Sequence, residues 1–318
     1  MKRFIKKIGL YCGILLAIGH ILLLVHIGVL GNQFEQSYNA SIVDKVNRLK
    51  DINKPKIILV GNSNVSFGFD SEEILKATEM PVVNLGLHGG LGNRFHEDLA
   101  KFNVKNGDIV VICHSSYSDN GKIPDYSLAW ATIEWHEQLW ALIHEDEYMA
   151  MAQTYPQFFA KAFARWMRGE IGRNDSAPYS RNAFNEYGDV VNKPIEKSFE
   201  DEDIFFRQNV LKPPDINESC INRLNNLNEY VKGKGGHMVV AGYPIAYGRH
   251  SQFDVSDIKA FEKELRMKLN CPVISSYEDY LMPYSMFYDT TLHLNEMGVR
   301  NRTKLFINDL KGWDGITR

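Results

Sequence analysis

The sequence predicts an α/β protein: a three-layer sandwich around a mostly parallel, five-stranded sheet, with a helical insertion and an N-terminal transmembrane helix. Three observations predict it. Five short Val- and Ile-rich runs are bounded by Gly, Pro, Asn or Asp, as buried strands are. Helical patterns alternate with most of them, which implies parallel strands covered on both faces. A 23-residue stretch near the start carries no Asp, Glu, Lys or Arg. With 44% hydrophobic and 24% charged residues in 318, the chain has a globular composition, neither disordered nor collagen-like.

The uncharged stretch is Ile8–Leu30. As a helix it spans roughly 35 Å, enough to cross a hydrocarbon core. A cleaved signal peptide is the alternative, but its apolar region is usually about 7–15 residues long, and no A-x-A site follows here. Lys2, Arg3, Lys6 and Lys7 precede the stretch. They place residues 1–7 in the cytoplasm and the main domain outside it, periplasmic or extracellular, on a single-pass cell-membrane anchor. His20 and His26 lie within the segment and are expected to be neutral, near its ends or against a helix partner. Residues 31–55 read as a polar stalk with a helix over Ser41–Leu49. Without the four leading bases, 32 bases face 39 acids, a net charge of −7. A body of that sign is a poor polyanion binder, which argues against nucleic acid. Four Cys with no C-x-x-C pair make neither a disulfide scaffold nor a zinc site. Of the three that would be exported, Cys113 sits in an apolar run and reads as buried. Three is odd, so at least one thiol is free or pairs elsewhere.

The body begins at residue 56. Its expected strands are Lys56–Val60, Pro81–Leu85, Asp108–Cys113, His237–Gly242 and Pro272–Ser275. Its expected helices are Ser71–Thr78, Arg94–Asn103, Ile216–Lys232, Asp257–Leu269 and Glu296–Leu310. Ser71 with Glu72 and Glu73 forms a helix start, and Lys232 to Gly236 a helix stop and turn before a strand. The alternation breaks over about 126–209, which holds four of the five Trp. Trp130–Met151 and Pro156–Met167 read as aromatic-rich helices, followed by a polar loop over Asn174–Asn192. This insertion is either a packing subdomain or a lid that shapes the acceptor site or rests on the bilayer.

Three features carry chemistry. Gly61-Asn62-Ser63-Asn64 closes the first strand, where open parallel sheets place their ligands; Ser63 is a candidate nucleophile or simply a turn serine. Asn84-Leu85-Gly86-Leu87-His88-Gly89-Gly90 follows the second strand. Its exposed amides can hold an oxyanion, or it is a plain glycine-rich turn. Asp289 and His293 precede Asn295, which looks like the N-cap of the last helix. A hydroxyl nucleophile needs a base within reach and a carboxylate to orient that base, and these two can supply both; a satisfied loop histidine is the other reading. Tyr243-Pro244 lines the upper sheet edge or forms a structural turn. His136 and His144 lie among Glu134, Glu137, Glu145 and Glu147, but no H-E-x-x-H occurs. No metal or cofactor is expected.

The order of these blocks resembles the SGNH (GDSL-type) hydrolase family and its membrane-anchored relatives in surface-polysaccharide O-acylation, over roughly residues 56–118 and 236–310. The resemblance implies a flavodoxin-like sheet, Ser63 as nucleophile, His293 as general base and Asp289 as its orienting acid. It also implies an oxyanion hole from Ser63 and Gly89. Asn62 stands where the family usually has Asp, and Asp289 and His293 are four apart rather than three. No Asn follows strand three until position 120, so Ser116 or Tyr117 is expected as the third donor. Asn62, Asn64, His88, Tyr117 and Tyr243 are the expected substrate contacts. Two functions are implied by the resemblance. One is an O-acetyltransferase or acetylesterase acting on extracytoplasmic glycan, or another acylated small substrate, through an acyl-Ser63 intermediate. The other is a non-catalytic glycan-binding or assembly subunit that partners a multi-spanning acyltransferase.

Overall fold

The computed structural model describes residues 1–171, 177–191, 214–248 and 251–317. Parts of the expected polar loop (174–176 and 192) and the end of the insertion to 209 lie outside the described residues. Helix α1 (Lys2–Val25) runs on through a π-turn to Leu30. With a mean hydropathy of 2.4 over its most apolar window, Lys2–Leu30 is long and apolar enough to cross a membrane. None of the residues of α1 itself is buried against the body.

Four parallel strands follow: β1 (Ile57–Val60), β2 (Val82–Asn84), β3 (Ile109–Ile112) and β4 (His237–Val240), in the order β2-β1-β3-β4. Strand residues alternate between two apolar clusters, because successive side chains of a strand point to opposite faces. Ile58, Val60, Val110, Ile112 and Val240 share one cluster with α2 (Ile42–Asp51), α5 (Asn93–Ala100), α8 (Glu218–Gly233) and α9 (Val255–Lys268). Ile57, Leu59, Val82, Val111 and Val239 share the other with α4 (Ser71–Thr78) and α10 (Glu296–Gly312). Two short strands, β5 (Ile245–Ala246) and β6 (Leu281–Met282), form a separate parallel pair.

The structure corrects three expectations. The fifth strand shrinks to one parallel bridge, Val240 to Val273, held by Val240 N–H on the Pro272 carbonyl and Ile274 N–H on the Val240 carbonyl. Pro272 has no N–H to extend the ladder. Residues 31–55 are no stalk: Tyr38, Ile42, Val46 and Leu49 are buried. The last three recur at helical spacing, so α2 lays one apolar stripe on the sheet. The insertion helices also shift. Helix α6 covers Tyr126–Ile133, 3₁₀ turns follow, and α7 covers Tyr148–Met167 through Pro156. The break falls at Trp135, whose φ of 65° leaves the helical region. Cys113, Cys220 and Cys271 are all free and buried.

Arg302 of α10 is fully buried under the turn that carries Ser63. Its guanidinium donates to the Asn64 carbonyl (2.6 Å), Asn64 Oδ1 (2.9 Å) and the Gly242 carbonyl (3.2 Å), and lies 4.1 Å over the Phe69 ring. Removing one partner from such a buried charged network typically costs about 3–5 kcal/mol. We expect Arg302→Ala to lower unfolding stability by about that amount in urea titrations; a loss below ~1 kcal/mol would show that the network is dispensable.

Candidate active site

Three loops at the carboxyl ends of β1, β2 and β3 meet where the strand order reverses around β1, the usual binding crevice of an open parallel sheet. The first loop turns at Gly61. A Cβ there would stand 2.6 Å from Val65 Cγ2 and 2.8 Å from the Cys113 carbonyl, so only Gly fits. Asn62 then caps the single turn α3 (Ser63–Ser66) by accepting from Asn64 N–H at 3.0 Å. That cap aims Ser63 out of the turn.

The second loop approaches α3 so closely that a Cβ on Gly86 would lie 2.4 Å from Ser66 N. It brings Gly89 against Asn62, 3.6 Å from that side chain to a Cβ built on Gly89. Among the described residues, no acceptor is seen for the backbone N–H of Ser63 or of Gly89. Two amides are therefore available to an oxyanion beside the serine.

His293 arrives on the loop before α10. Thr290 Oγ1 accepts from Leu292 N–H and His293 N–H, and Tyr288 N–H donates to the His293 carbonyl at 2.8 Å. Asn295 caps α10 through Gly298 N–H and also donates to the Ser285 carbonyl, so the loop is tied at both ends. His293 Nδ1 lies 2.7 Å from Asp289 Oδ1, and its Nε2 lies 2.8 Å from Ser63 Oγ. A carboxylate only accepts. Nδ1 therefore carries the proton, and Nε2 is left to accept from the Ser63 hydroxyl. The imidazole stacks on Phe67 at 4.0 Å with an interplanar angle of 9°, which fixes its plane. Ser63, His293 and Asp289, 230 residues apart at the extremes, thus form one hydrogen-bonded chain.

Tyr179, from the segment after α7, donates its hydroxyl to Asp289 Oδ2 and lies 3.3 Å from His293 Nδ1. Burial alone would push the Asp289 carboxyl up, but the bonds from His293 and Tyr179 outweigh it and hold the carboxyl below its ordinary value. Burial, and then the bond to Asp289, raise the Tyr179 phenol well above its ordinary value, so it stays a donor. The segment carrying Tyr179 is anchored from within. The buried Lys45 ammonium donates to the Asn84 and Gly188 carbonyls, and the buried Asp189 accepts from Ser71 N–H, Ser71 Oγ and Asn84 Nδ2.

The other expected site residues divide. His88 accepts from Gly90 N–H and borders a cavity of about 330 Å³ with Tyr38, Asn39, Leu128, Lys161 and Tyr179. Partial desolvation and the neighbouring His293 lower its pKa. A larger cleft of about 710 Å³ lies beside Asp70, Asp189 and Arg300, and is lined by none of Ser63, Asp289 or His293. Ser116 is not at the nucleophile: it is exposed and bonds Ser118 at 2.9 Å. Its neighbour Ser115 instead meets the turn that carries Ser63, accepting from Asn62 Nδ2 at 2.6 Å. Tyr117 turns into the core, 1% exposed and bonded to Tyr277. Tyr243 is also buried, edge-on to Tyr277. Asn64 is fully buried between Asn62, the Cys113 carbonyl and Arg302. All three are buried, so none of them is an open substrate contact, and Asn64 holds the Ser63 turn from beneath. Ser115, Phe67, Thr290, Tyr179 and Arg302 join the site without having been expected from the sequence. Only Ser115, one place from Ser116 in the same serine run, carried a signal.

Comparisons with known family models, with curated proteins and with solved structures found no match. The chemistry of the site is therefore read from its geometry.

A lowered folded-state carboxyl stabilises the fold above its ordinary unfolded value of 3.8. That contribution disappears as pH falls through the folded value. Asp289→Asn should therefore be less stable than wild type at pH 7, with the difference narrowing in urea titrations as pH falls below 3.8. In Tyr179→Phe the acid-induced loss should be smaller and complete at higher pH than in wild type, because one bond holding Asp289 down is gone. Coincident stability curves for the two proteins would refute the Tyr179 assignment.

Proposed function

We propose that this chain is a membrane-anchored serine acyl-transfer enzyme of the SGNH type, an O-acetyltransferase or acetylesterase acting on extracytoplasmic glycan. The observation that carries the reading is the Asp289–His293–Ser63 chain, with links of 2.7 and 2.8 Å, beside the Ser63 and Gly89 amides. In this reading α1 is a single-pass anchor with its N-terminus in the cytoplasm. The two apolar clusters and the Val273 bridge are the layers and residual fifth strand of a three-layer, flavodoxin-like sandwich.

The chemistry follows from the bonds. The Ser63 Oγ–H donates to His293 Nε2, so attack of Oγ on an ester carbonyl passes the proton to the imidazole. Asp289, bonded to the Nδ1 side, stabilises the imidazolium that forms. The Ser63 and Gly89 amides receive the oxyanion, with the Ser115 hydroxyl read as third donor in place of the absent Asn. Collapse of the tetrahedral intermediate takes the proton from Nε2 to the leaving alkoxide and leaves an acyl-Ser63 ester. A glycan hydroxyl or a water, deprotonated by the same nitrogen, then accepts the acyl group. The cavity beside His88 and Tyr179 is the space for that acceptor.

The second reading, a non-catalytic glycan-binding or assembly subunit beside a multi-spanning acyltransferase, draws on the absence of Ser116 from the site. A missing oxyanion donor costs about 10²–10³ in rate.

A fluorophosphonate probe should label wild-type protein and leave Ser63→Ala unlabelled. Asp289→Asn should cut acetyl-ester turnover about 10⁴-fold, and Ser115→Ala about 10²–10³-fold with KM little changed. No labelling of folded wild type, with glycan acylation in cells unaffected by Ser63→Ala, would sink the enzyme reading and leave the binding subunit.

A further inference from the structure

We propose that the outer face of the insertion rests in the headgroup layer of the bilayer. The chain then holds the membrane with two elements: α1 and an aromatic ridge made of Trp135 and the Phe159–Phe163–Trp166 stripe of α7. The proposal rests on the reading of α1 as a membrane span, and it goes beyond that reading by assigning a surface of the body to lipid.

His26 lies near the far end of the apolar segment. It faces protein rather than lipid, being 7% exposed. Its Nε2 lies 2.7 Å from Glu134 Oε1 and its Nδ1 lies 3.1 Å from the Tyr155 hydroxyl. Trp135, Phe158 and Phe159 surround its ring at centroid distances of 6.2, 5.4 and 6.4 Å. The insertion therefore builds the exit of the anchor helix, which puts α6 and α7 at the depth where hydrocarbon gives way to headgroups.

From that exit the aromatic contacts continue outward. Phe159 stacks on Phe163 at 6.3 Å, and Phe163 meets Trp166 at 5.7 Å. Spacings of four and three put the three rings on one helical face. Phe163 is 42% exposed, Met167 65% and Trp135 45%. Of the eleven large apolar side chains exposed beyond residue 30 among the described residues, seven fall between 135 and 171. That concentration is local to the insertion, so general surface composition does not explain it. Trp135 adds a separate observation. Its φ of 65° is a conformation bulky side chains rarely adopt, and it turns the indole edge-on to His26 while leaving nearly half of the residue open. Backbone strain of this kind marks functional positions. Amphipathic aromatic rings are the side chains enriched at headgroup depth. The occupant is thus lipid, continuous with the surface that α1 already occupies, rather than a second protein.

The consequence is a fixed height for the catalytic rim. The cavity bordered by His88 and Tyr179 also touches Lys161 and Arg165 of α7, so substrate reaches Ser63 beside the membrane surface.

The test uses the full chain in phosphatidylcholine nanodiscs carrying bromine either near the top or near the middle of the acyl chains. Retention of the protein in membranes through an alkaline wash checks the anchor. In retained protein, top-brominated lipid should quench tryptophan emission more than mid-brominated lipid. The Trp135→Phe/Trp166→Phe double variant should lose most of that difference. A second variant guards against misfolding: Phe163→Cys in a Cys12→Ser background, spin-labelled, should be more accessible to oxygen than to a water-soluble nickel chelate. Retained protein whose quenching does not depend on Trp135 and Trp166, with a nickel-accessible label at 163, overturns the lipid face. A label shielded from both reagents overturns it in favour of a protein partner. Release by the alkaline wash instead refutes the anchor reading, a different failure.

Discussion

One buried guanidinium holds the halves of the site together. The Ser63 turn follows the first strand of the sheet, His293 comes from near the C-terminal end of the chain, and Arg302 ties them by donating to the Asn64 carbonyl, Asn64 Oδ1 and the Gly242 carbonyl. A charge placed at 0% exposure is costly to desolvate and stable only where its donors are used. The turn beneath Ser63 and the Gly242 carbonyl accept from both of its terminal nitrogens. Because Arg302 sits on α10, and the His293 loop is capped onto the same helix by Asn295, the imidazole inherits its position from that anchoring. The Ser63–His293 bond follows from packing underneath the site and does not have to hold the site together itself.

The second constraint acts from above. The segment that carries Tyr179 crosses the rim and completes the bonding of Asp289. Two polar side chains buried inside the body, Lys45 and Asp189, hold its far end through backbone and side-chain bonds. Phe67 and Tyr38 pack between the two constraints, each within aromatic contact of Tyr179. Asp289 is thereby screened from water on one side, which strengthens its hydrogen bonds to His293 and Tyr179. The insertion, which interrupts the α/β alternation, supplies a hydrogen bond to the orienting acid as well as bulk.

Much of the fold was legible because it follows from local rules. Val- and Ile-rich runs bounded by breakers became β1, β2, β3 and β4; Ser71–Thr78 and the Asn295 cap fell at their expected positions. Asp289 and His293 could be paired with Ser63 from sequence because the order of their blocks resembles a known family's, and both loops lie at helix and strand ends, where an α/β topology gathers side chains. The failures share a different origin. Residues 31–55 are polar overall, yet Ile42, Val46 and Leu49 found a sheet face to cover. Tyr117 and Tyr243 stood beside site loops in sequence, but an alternating backbone turned them inward.

By itself, the sequence determined the element types, an apolar helix long enough to span a bilayer, and the short list of groups able to act as nucleophile, base and acid. These depend on periodicity, charge and side-chain chemistry, which are properties of a few neighbouring residues. Only the tertiary structure decided that Ser115 rather than Ser116 sits beside the nucleophile turn, that Tyr179 bonds the acid, and that Arg302 underpins the turn. Each of those facts depends on which distant segments share a core, and no local pattern encodes a contact between segments so far apart in the chain.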